Sequence, residues 1–167
     1  KGNFSIIIPV YNHEDRIAHV VNSAKNLGLP IIVVDDGSTD SSYDNIKDTK
    51  GITVLRHEKN MGKGAAIITG FIEASKKSNW AITIDADGQH DPGDAVKLME
   101  AIPGNLSNKL FARPIVVGKR EDMVGPDVPW TSRFGRGFSN FWVWTSGGPL
   151  ISDSQSGFRI YPVPDIL

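Results

Sequence analysis

The chain contains no cysteine among its 167 residues. Disulfides, thiolate zinc sites and cysteine nucleophiles are therefore excluded, and the redox compartment stays undetermined. An excess of either charge is also missing, because 18 lysine and arginine residues face 19 aspartate and glutamate residues. A nucleic-acid-binding domain carries a basic patch or stripe, so the charge balance argues against a nucleic-acid partner.

Long apolar runs are absent as well. No stretch reaches the roughly 18 apolar residues that a membrane span needs, and no signal-peptide pattern is present. An apolar content of 40% and a charged content of 22% are typical of an ordinary globular protein. A length of 167 residues predicts one domain, residues 1–167. Because the chain opens on Lys1 without methionine and stops soon after a motif, we expect this domain to be truncated at its C-terminus.

Short apolar runs alternate with amphipathic segments along the chain. The runs predict buried strands at 4–11, 30–34, 52–56, 80–84 and 115–118. Helices are predicted at 17–27, over about ten residues after Asp40, beyond Gly64 with Ala65, Ile68, Ile72 and Ala74 on one side, after Asp91-Pro92, and at 132–145. This alternation predicts an α/β fold with a mostly parallel sheet flanked by helices.

Carboxylates follow two of the predicted strands. Asp85 and Asp87 come after the strand at 80–84, and Asp35 and Asp36 follow the strand at 30–34. Ligands bind outside the carboxyl ends of strands in open α/β sheets, and Mg²⁺ or Mn²⁺ prefers one or two carboxylates plus substrate phosphates. A turn that serves geometry alone is an equal alternative for the first pair, whereas ligand contact is favoured for the second.

Other polar residues offer weaker signals. Gly62-Lys63-Gly64 is not a Walker A loop, because no glycine stands at position 57 and no serine or threonine follows the lysine, which leaves Lys63 as a secondary phosphate contact. Ser38 and Asp40 are interpreted as helix caps. His13 is placed beside the crevice, and His90 is either a metal or diphosphate contact or a helix cap.

The remaining histidines and the arginines complete the set of candidates. His19 and His57 are interpreted as ordinary helix and strand-end residues. Arginine suits bidentate phosphate recognition, and all of Arg120, Arg133, Arg136 and Arg159 fall in the second half of the chain. Arg120, directly after a predicted strand, and Arg159 are the stronger candidates.

Five motifs in order carry a resemblance to a known family. They are Pro9-Val10-Tyr11-Asn12, Asp35-Asp36-Gly37-Ser38-Thr39-Asp40, Asn60-x-Gly62-Lys63-Gly64, Asp85-Ala86-Asp87-Gly88-Gln89-His90 and Asp153-x-Gln155-Ser156-Gly157-Phe158-Arg159. Together they resemble the family-2 glycosyltransferases of GT-A fold, nearest to the polyprenyl-phosphate (dolichol-phosphate type) sugar transferases. The resemblance spans nearly the whole chain.

The resemblance implies transfer of a sugar from a nucleotide sugar of the UDP-glucose or GDP-mannose type, with Mg²⁺ or Mn²⁺, to a polyprenyl phosphate or a glycan. On the donor side, it implies that Pro9, Tyr11 and Asp36 hold the base and ribose, that Asp85 and Asp87 bind the ribose and the metal, and that Gln89 lies beside the metal. It also implies that Arg120 and Arg133 contact donor or acceptor phosphates and that Asp153 faces the acceptor. A hydroxyl acceptor needs a general base, which Asp153 would supply, whereas a lipid phosphate needs none. The resemblance also implies a cytoplasmic protein that segments outside this chain bring to a membrane surface.

Two departures from the family pattern qualify these roles. His13 stands where the family has an acid, with Glu14 one place later, so neither receives the base-contact role. The chain also ends six residues after Tyr161, so we expect a core that binds donor but transfers sugar poorly by itself. We further expect the loop at 121–130 to order over the donor. The alternatives are a sugar-phosphate nucleotidyltransferase and a non-catalytic nucleotide-sugar binding module.

Overall fold

Six strands form one sheet in the computed structural model, which describes residues 3–102, 113–118, 156–163 and 165–167. The chain divides into a larger compact unit, residues 1–116 with 158–167, and a smaller one, residues 117–157. Nearly all of the smaller unit, including the predicted loop at 121–130 and the predicted helix at 132–145, lies outside the described residues. The single-domain organisation therefore stays a prediction.

The sheet is mostly parallel, as predicted. Its strands are β1 (Phe4–Val10), β2 (Ile31–Asp35), β3 (Thr53–Arg56), β4 (Trp80–Thr83), β5 (Val116–Val117) and β6 (Arg159–Pro162). They lie in the order β3-β2-β1-β4-β6-β5. β1 pairs in parallel with β2 and β4, β2 pairs in parallel with β3, and β6 runs antiparallel to β4.

β1 is the central strand of this arrangement, and both of its faces are covered. Ile6, Ile7 and Ile8 are fully buried. Because successive side chains of a strand point to opposite faces, Ile6 and Ile8 join the apolar cluster that includes the first helix, and Ile7 joins the cluster on the other face. The continuous apolar run of β1 thus indicated its two-sided burial correctly.

Helices cover the two faces. They are α1 (Ile17–Lys25), α2 (Lys63–Ser75) and α3 (Ala95–Glu100), the last preceded by a 3₁₀ turn at Pro92–Asp94. The Asp91 side chain accepts a hydrogen bond from the Gly93 N–H at 2.9 Å and caps this turn, with proline in its first position as predicted. Among the described residues, no helix is both long and apolar enough to span a membrane.

The buried face of α2 differs from the predicted one. Ala66, Gly70 and Ala74 face the sheet, whereas Ile68 and Ile72 are 54% and 52% exposed. The helix carries apolar residues nearly all round, so its pattern does not fix the side that is buried, and the smallest residues decide it. A Cβ at Gly70 would lie 2.5 Å from Cγ2 of Ile7, so glycine allows the helix to approach β1 this closely.

The prediction of a helix after Asp40 is wrong. Residues 41–48 form a series of turns in which the Asn45 N–H donates to the Ser41 carbonyl. Side chains at the start of this segment bind elsewhere, because Ser38 Oγ and Ser42 Oγ accept backbone N–H bonds from the loop that follows β1. Serine and aspartate side chains compete in this way with helical hydrogen bonding.

The antiparallel strand β6 was not predicted. Its burial alternates, because Ile160 and Pro162 are buried whereas Tyr161 between them is partly exposed. This alternation is typical of a strand, but the proline discourages a strand prediction because it cannot donate to a sheet ladder. β6 follows β4 in the sheet and extends it beyond the parallel strands.

The C-terminal segment is attached to the sheet through Arg113. Its Nε and Nη2 atoms donate to the two carboxylate oxygens of Asp165 at 2.7 and 2.6 Å, and its Nη1 and Nη2 donate to the carbonyls of Asn79 and Val163 at 3.0 and 3.2 Å. The guanidinium also lies 5.1 Å from the centre of the Trp80 ring. One side chain therefore joins β4 to the residues after β6.

Asp165→Asn is expected to lower the free energy of unfolding at pH 7 by about 1 kcal/mol, because the pair is bidentate but partly exposed. Hydrogen bonds from Arg113 hold the pKa of Asp165 below its usual value. This stabilisation is therefore present above about pH 4 and is lost as the pH falls through the lowered pKa. Urea unfolding at pH 7 and pH 2.5 measures it, with Asp44→Asn, which removes an exposed pair with Lys47, as the control. A loss that is equal at both pH values would contradict this assignment.

Candidate active site

A cleft of about 240 Å³ lies at the carboxyl ends of β1, β2 and β4. Its lining comes from the residues that end or follow these strands and from the start of α2: Pro9, Val10, Tyr11, His13, Asp36, Asn60, Lys63, Ala66, Asp85, Ala86 and Asp87. The parallel strands bring these side chains together because their carboxyl ends meet at one edge of the sheet.

Five of the residues predicted to bind donor or metal share this cleft: Pro9, Tyr11, Asp36, Asp85 and Asp87. Gln89 is exposed and adjoins it through Asp87, but it is not part of the lining. Asp153, Arg120 and Arg133 lie outside the described residues, so their roles stay predictions. The functional assignments of all of these residues are likewise predictions, and the structure supplies their placement.

Asp36 accepts three hydrogen bonds from the chain itself. Its Oδ1 accepts from His57 Nδ1 at 2.7 Å and from the Met61 N–H at 3.0 Å, and its Oδ2 accepts from the Gly62 N–H at 2.8 Å. Burial alone raises the pKa of Asp36, but these hydrogen bonds outweigh it and hold the pKa below its ordinary value. A carboxylate offers about four acceptor positions, so one remains for an N–H or hydroxyl of a ligand.

His57 has a larger role than the sequence suggested. Its Nδ1 donates to Asp36, because an ionised carboxylate can only accept, and its Nε2 lies 2.9 Å from the Thr69 hydroxyl in α2. The histidine therefore holds Asp36 and α2 in fixed relation. The sequence did contain a signal, since His57 directly follows β3, whose carboxyl end lies beside that of β2.

Asp35 does not reach the cleft, so the prediction that it contacts a ligand is wrong. Its side chain is fully buried, and Arg56 Nε lies 3.0 Å from its Oδ2 in an ion pair outside hydrogen-bond geometry. The two residues are direct partners in the pairing of β2 with β3. The pair thus belongs to the sheet, and only the second carboxylate of the Asp35-Asp36 motif faces the cleft.

Side-chain bonds fix the loop that carries Tyr11. Asn12, with a φ of 55°, accepts the Thr39 N–H through its side chain at 2.9 Å and donates its own N–H to Ser38 Oγ at 3.1 Å. Glu14 accepts the Ser41 N–H at 2.8 Å. These contacts assign Ser38 and Glu14 to holding the loops after β1 and β2 together, and Tyr11, 42% exposed, presents its ring beside the cleft.

Asp85 lacks a complete set of hydrogen-bonding partners. Its Oδ1 is buried, and among the described residues no donor reaches it in hydrogen-bond geometry. The Lys63 ammonium lies 2.6 Å from the same oxygen, as an ion pair whose angle falls outside that geometry. Leaving a buried carboxylate oxygen incompletely paired is costly. The Asp35 oxygens are in the same state, but only Asp85 lines the cleft, so the Asp85 oxygen is the one that a ligand in the cleft can complete.

Asp87 is the second carboxylate of the motif. Its Oδ1 accepts the Gln89 N–H at 2.9 Å, which turns the chain sharply at Gly88, where φ is 72°. Arg16 at the start of α1 donates to the Asp87 carbonyl at 3.0 Å and holds this turn from the outside. Asp87 lines the cleft, so its second carboxylate oxygen is open to a ligand there.

The residues present fit a divalent cation that the donor helps to bind. No group of three or more histidine or acidic side chains among the described residues is placed to hold a metal alone. Two carboxylates with incompletely used oxygens do share the cleft, and Mg²⁺ and Mn²⁺ take such oxygens together with phosphate oxygens. The fit therefore requires a diphosphate to complete the site.

The two remaining candidates lie apart from the lining. The His90 ring stacks on Phe158 with centroids 5.3 Å apart, and the capping position is taken by Asp91. Arg159 lies on β6 and donates to the Tyr161 hydroxyl at 3.4 Å. Neither residue is among those that line the cleft.

Curated relatives are 29–34% identical to this chain over the residues that align. The UDP-N-acetylglucosamine–dolichyl-phosphate N-acetylglucosaminyltransferase of Methanococcus voltae is 34% identical over 93% of this chain and 68% of its own length. The dolichol-phosphate mannosyltransferase of Pyrococcus furiosus is 34% identical over 71% of this chain, and the dolichyl-phosphate beta-glucosyltransferase of Dictyostelium discoideum 29% over 94%. The chain spans only 35% and 53% of the length of these last two.

Solved structures agree on the fold. Glucosyl-3-phosphoglycerate synthase from Mycobacterium tuberculosis, in complex with phosphoglyceric acid, covers 96% of this chain and 57% of its own, with a TM-score of 0.70 and 20% identity. The same enzyme in complex with Mn²⁺, UDP and glucosyl-3-phosphoglycerate gives a TM-score of 0.67 at 21% identity. At this identity the likeness concerns the fold alone, and it confirms the predicted GT-A fold.

A family model that matches most of the chain shows the family. The model of Glycosyl transferase family 2 matches residues 5–161, which include every strand-end motif of the cleft. Neither the matched family nor the relatives and structures reported above belong by name to the alternative class, the sugar-phosphate nucleotidyltransferases. With the fold, the relatives and this match in agreement, the chain belongs to glycosyl transferase family 2.

Proposed function

We propose that this chain binds a nucleoside-diphosphate sugar together with a divalent cation and transfers the sugar to an acceptor. The observation that carries the proposal is that Asp36, Asp85, Asp87 and Lys63 meet in one cleft, where a buried Asp85 oxygen lacks a hydrogen-bond donor among the described residues. Membership of family 2 supports the reaction class. The names of the three relatives support a polyprenyl phosphate as acceptor, which would bring the protein to a membrane surface on its predicted cytoplasmic side.

The donor would lie across the strand ends. Tyr11 offers an exposed ring on which a base can stack, and the one free acceptor position of Asp36 suits an N–H of the base or a ribose hydroxyl. Asp85 and Asp87 would hold the cation, which neutralises the charge that develops on the departing nucleoside diphosphate. Lys63 adds a positive charge from the same wall of the cleft.

The acceptor side rests on residues that the structure does not describe. We keep Arg120 and Arg133 as phosphate contacts and Asp153 as the residue that faces the acceptor. A phosphate acceptor is already ionised and needs no base, whereas a hydroxyl acceptor would require Asp153 to take its proton. Comparing transfer to a polyprenyl phosphate and to a glycan, with and without Asp153→Asn, separates these two routes.

UDP or GDP is expected to bind this chain only with Mn²⁺ or Mg²⁺ present. Two acidic side chains repel a diphosphate unless a cation bridges them, so removing the metal should weaken binding at least tenfold. Isothermal titration with Mn²⁺ and with a chelator measures the difference, and UMP, which lacks the second phosphate, is the matched control ligand. Binding of UDP that the chelator leaves unchanged would contradict the proposal.

Turnover distinguishes a transferase from a binding module. A panel of nucleotide sugars incubated with Mn²⁺ and a polyprenyl phosphate is expected to yield a lipid-linked sugar from one donor type. Because residues 1–167 alone are expected to transfer sugar slowly, the assay should be run under single-turnover conditions. Metal-dependent donor binding without any product would favour the non-catalytic alternative.

A further inference from the structure

Lys63 occupies an unusual place in the cleft. It is the first residue of α2, and its ammonium lies 2.6 Å from Oδ1 of Asp85, the buried oxygen that no hydrogen-bond donor reaches in good geometry among the described residues. The Asp85 side chain is 19% exposed and that of Lys63 is 54% exposed. A half-exposed cation therefore lies against a largely buried anion.

This cation stands where the proposed metal would bind. Asp85 needs a positive partner because its carboxylate is withdrawn from water, and among the residues that the structure describes Lys63 supplies that charge. A divalent ion that takes the same oxygen must displace the ammonium. The protein thus begins with its metal position neutralised by its own side chain.

We propose that Lys63 is an exchangeable counter-ion, which pairs with Asp85 before the donor arrives and moves to the donor diphosphate when the cation takes its place. The inference rests on the proposed function. It makes metal and nucleotide bind cooperatively, since the metal alone must break the ion pair, whereas the metal with a diphosphate gives the displaced ammonium a new anionic partner. Such coupling is reciprocal between the two ligands.

The local backbone suits this exchange. The Gly62 N–H is held by Asp36 Oδ2 at 2.8 Å, so the start of α2 is fixed and only the Lys63 side chain has to move. Lysine carries a compact charge on a flexible four-carbon stem, which allows one ammonium to reach either partner. Lys63, Asp85 and Asp87 all line the same cleft, so the path between the two partners is short.

Lys63→Met is expected to change the two affinities in opposite directions. Mn²⁺ alone, followed by the electron paramagnetic resonance signal of free Mn²⁺, should bind at least threefold more tightly, because no ammonium competes. UDP at saturating Mn²⁺, followed by titration calorimetry, should bind at least fivefold more weakly, because the diphosphate loses a cation. A lysine that only contacts phosphate would change the second affinity and leave the first unaltered.

Two further variants serve as controls. Lys59→Met removes the same charge from the loop that leads into α2 but from outside the cleft lining, so both affinities should stay within twofold of wild type. Lys63→Arg keeps a cation and should therefore keep the weak binding of Mn²⁺ alone. If Lys63→Met does not fold, Lys63→Gln removes the same charge and takes its place. Circular dichroism verifies folding in each case.

The outcomes separate the inference from the function on which it rests. If Lys63→Met binds Mn²⁺ alone no more tightly than wild type does, or if neither protein binds it, the exchange is overturned. The proposed function would still stand in that case, provided that wild type binds UDP in the presence of Mn²⁺. Wild-type protein that binds UDP equally with and without Mn²⁺ overturns the proposed function itself. Opposite shifts in the two affinities, absent from Lys59→Met, support the exchange.

Discussion

Asp87→Ala is expected to weaken the binding of UDP in the presence of Mn²⁺ at least tenfold, which corresponds to about 1.4 kcal/mol. One Asp87 oxygen already accepts the Gln89 N–H, so the other is the oxygen available to a cation in the cleft. Its removal leaves Asp85 as the single carboxylate for the metal. Without metal the nucleotide should bind no more weakly to the variant than to the wild type, because the substitution removes a charge that repels the diphosphate.

The change must be distinguished from a loss of the turn around Gly88. Asp87→Asn removes the charge but keeps an oxygen that can accept the Gln89 N–H, so this variant should fold normally. Its binding of UDP in the presence of Mn²⁺ should still be weak. Asp91→Asn, four residues on, keeps its cap on the 3₁₀ turn and lies outside the cleft lining, so its affinity should match that of wild type. Undiminished UDP binding by both Asp87 variants would remove this residue from the metal site.

The cleft could be anticipated largely from strand ends. Buried apolar runs followed by acids placed Asp36, Asp85 and Asp87 at one edge of a parallel sheet, and the structure brings them into one cleft. The same rule would have drawn attention to His57 after β3, which was interpreted as an ordinary residue. Asp35 shows the limit of the rule, because the last residue of a strand and the first one after it need not face the same way.

Features that depend on packing were harder to infer. The orientation of α2 is decided by the close approach of Gly70 to Ile7, which involves a residue 63 positions away in the chain. The turns at 41–48 replace a helix because serine side chains bind the loop after β1, again a contact between distant segments. The local sequence sets how readily each segment forms a helix, a strand or a turn. Contacts between distant segments then decide which of these structures forms.

Gly37→Ala is expected to have the largest effect on stability, lowering the free energy of unfolding by about 3 kcal/mol or more. Gly37 has a φ of 70°, a backbone conformation that costs an alanine roughly 1–2 kcal/mol. A Cβ there would also lie 2.5 Å from the Lys59 carbonyl carbon and 2.7 Å from the Asn60 nitrogen, which are backbone atoms that cannot rotate away. Overpacking of this kind adds roughly 1–3 kcal/mol.

Gly51→Ala provides the matched control, because Gly51 also has a positive φ, 81°, but a Cβ there would meet nothing within 4 Å. Chemical unfolding of both variants therefore separates the backbone strain, which they share, from the clash, which only Gly37→Ala introduces. Equal destabilisation of the two would show that the loop at 57–62 yields without cost.

The clash should also reach the nucleotide. To accommodate an alanine at position 37, the segment at 59–60 must move, and the next two residues, Met61 and Gly62, donate the N–H groups that hold the Asp36 carboxylate. Displacing these donors releases Asp36 from the orientation in which its one free acceptor position faces the cleft. Metal-dependent UDP affinity, measured at a temperature where both variants are folded, should therefore fall at least tenfold in Gly37→Ala and stay unchanged in Gly51→Ala. Wild-type affinity in a destabilised Gly37→Ala would mean that Asp36 reaches the donor without help from this loop.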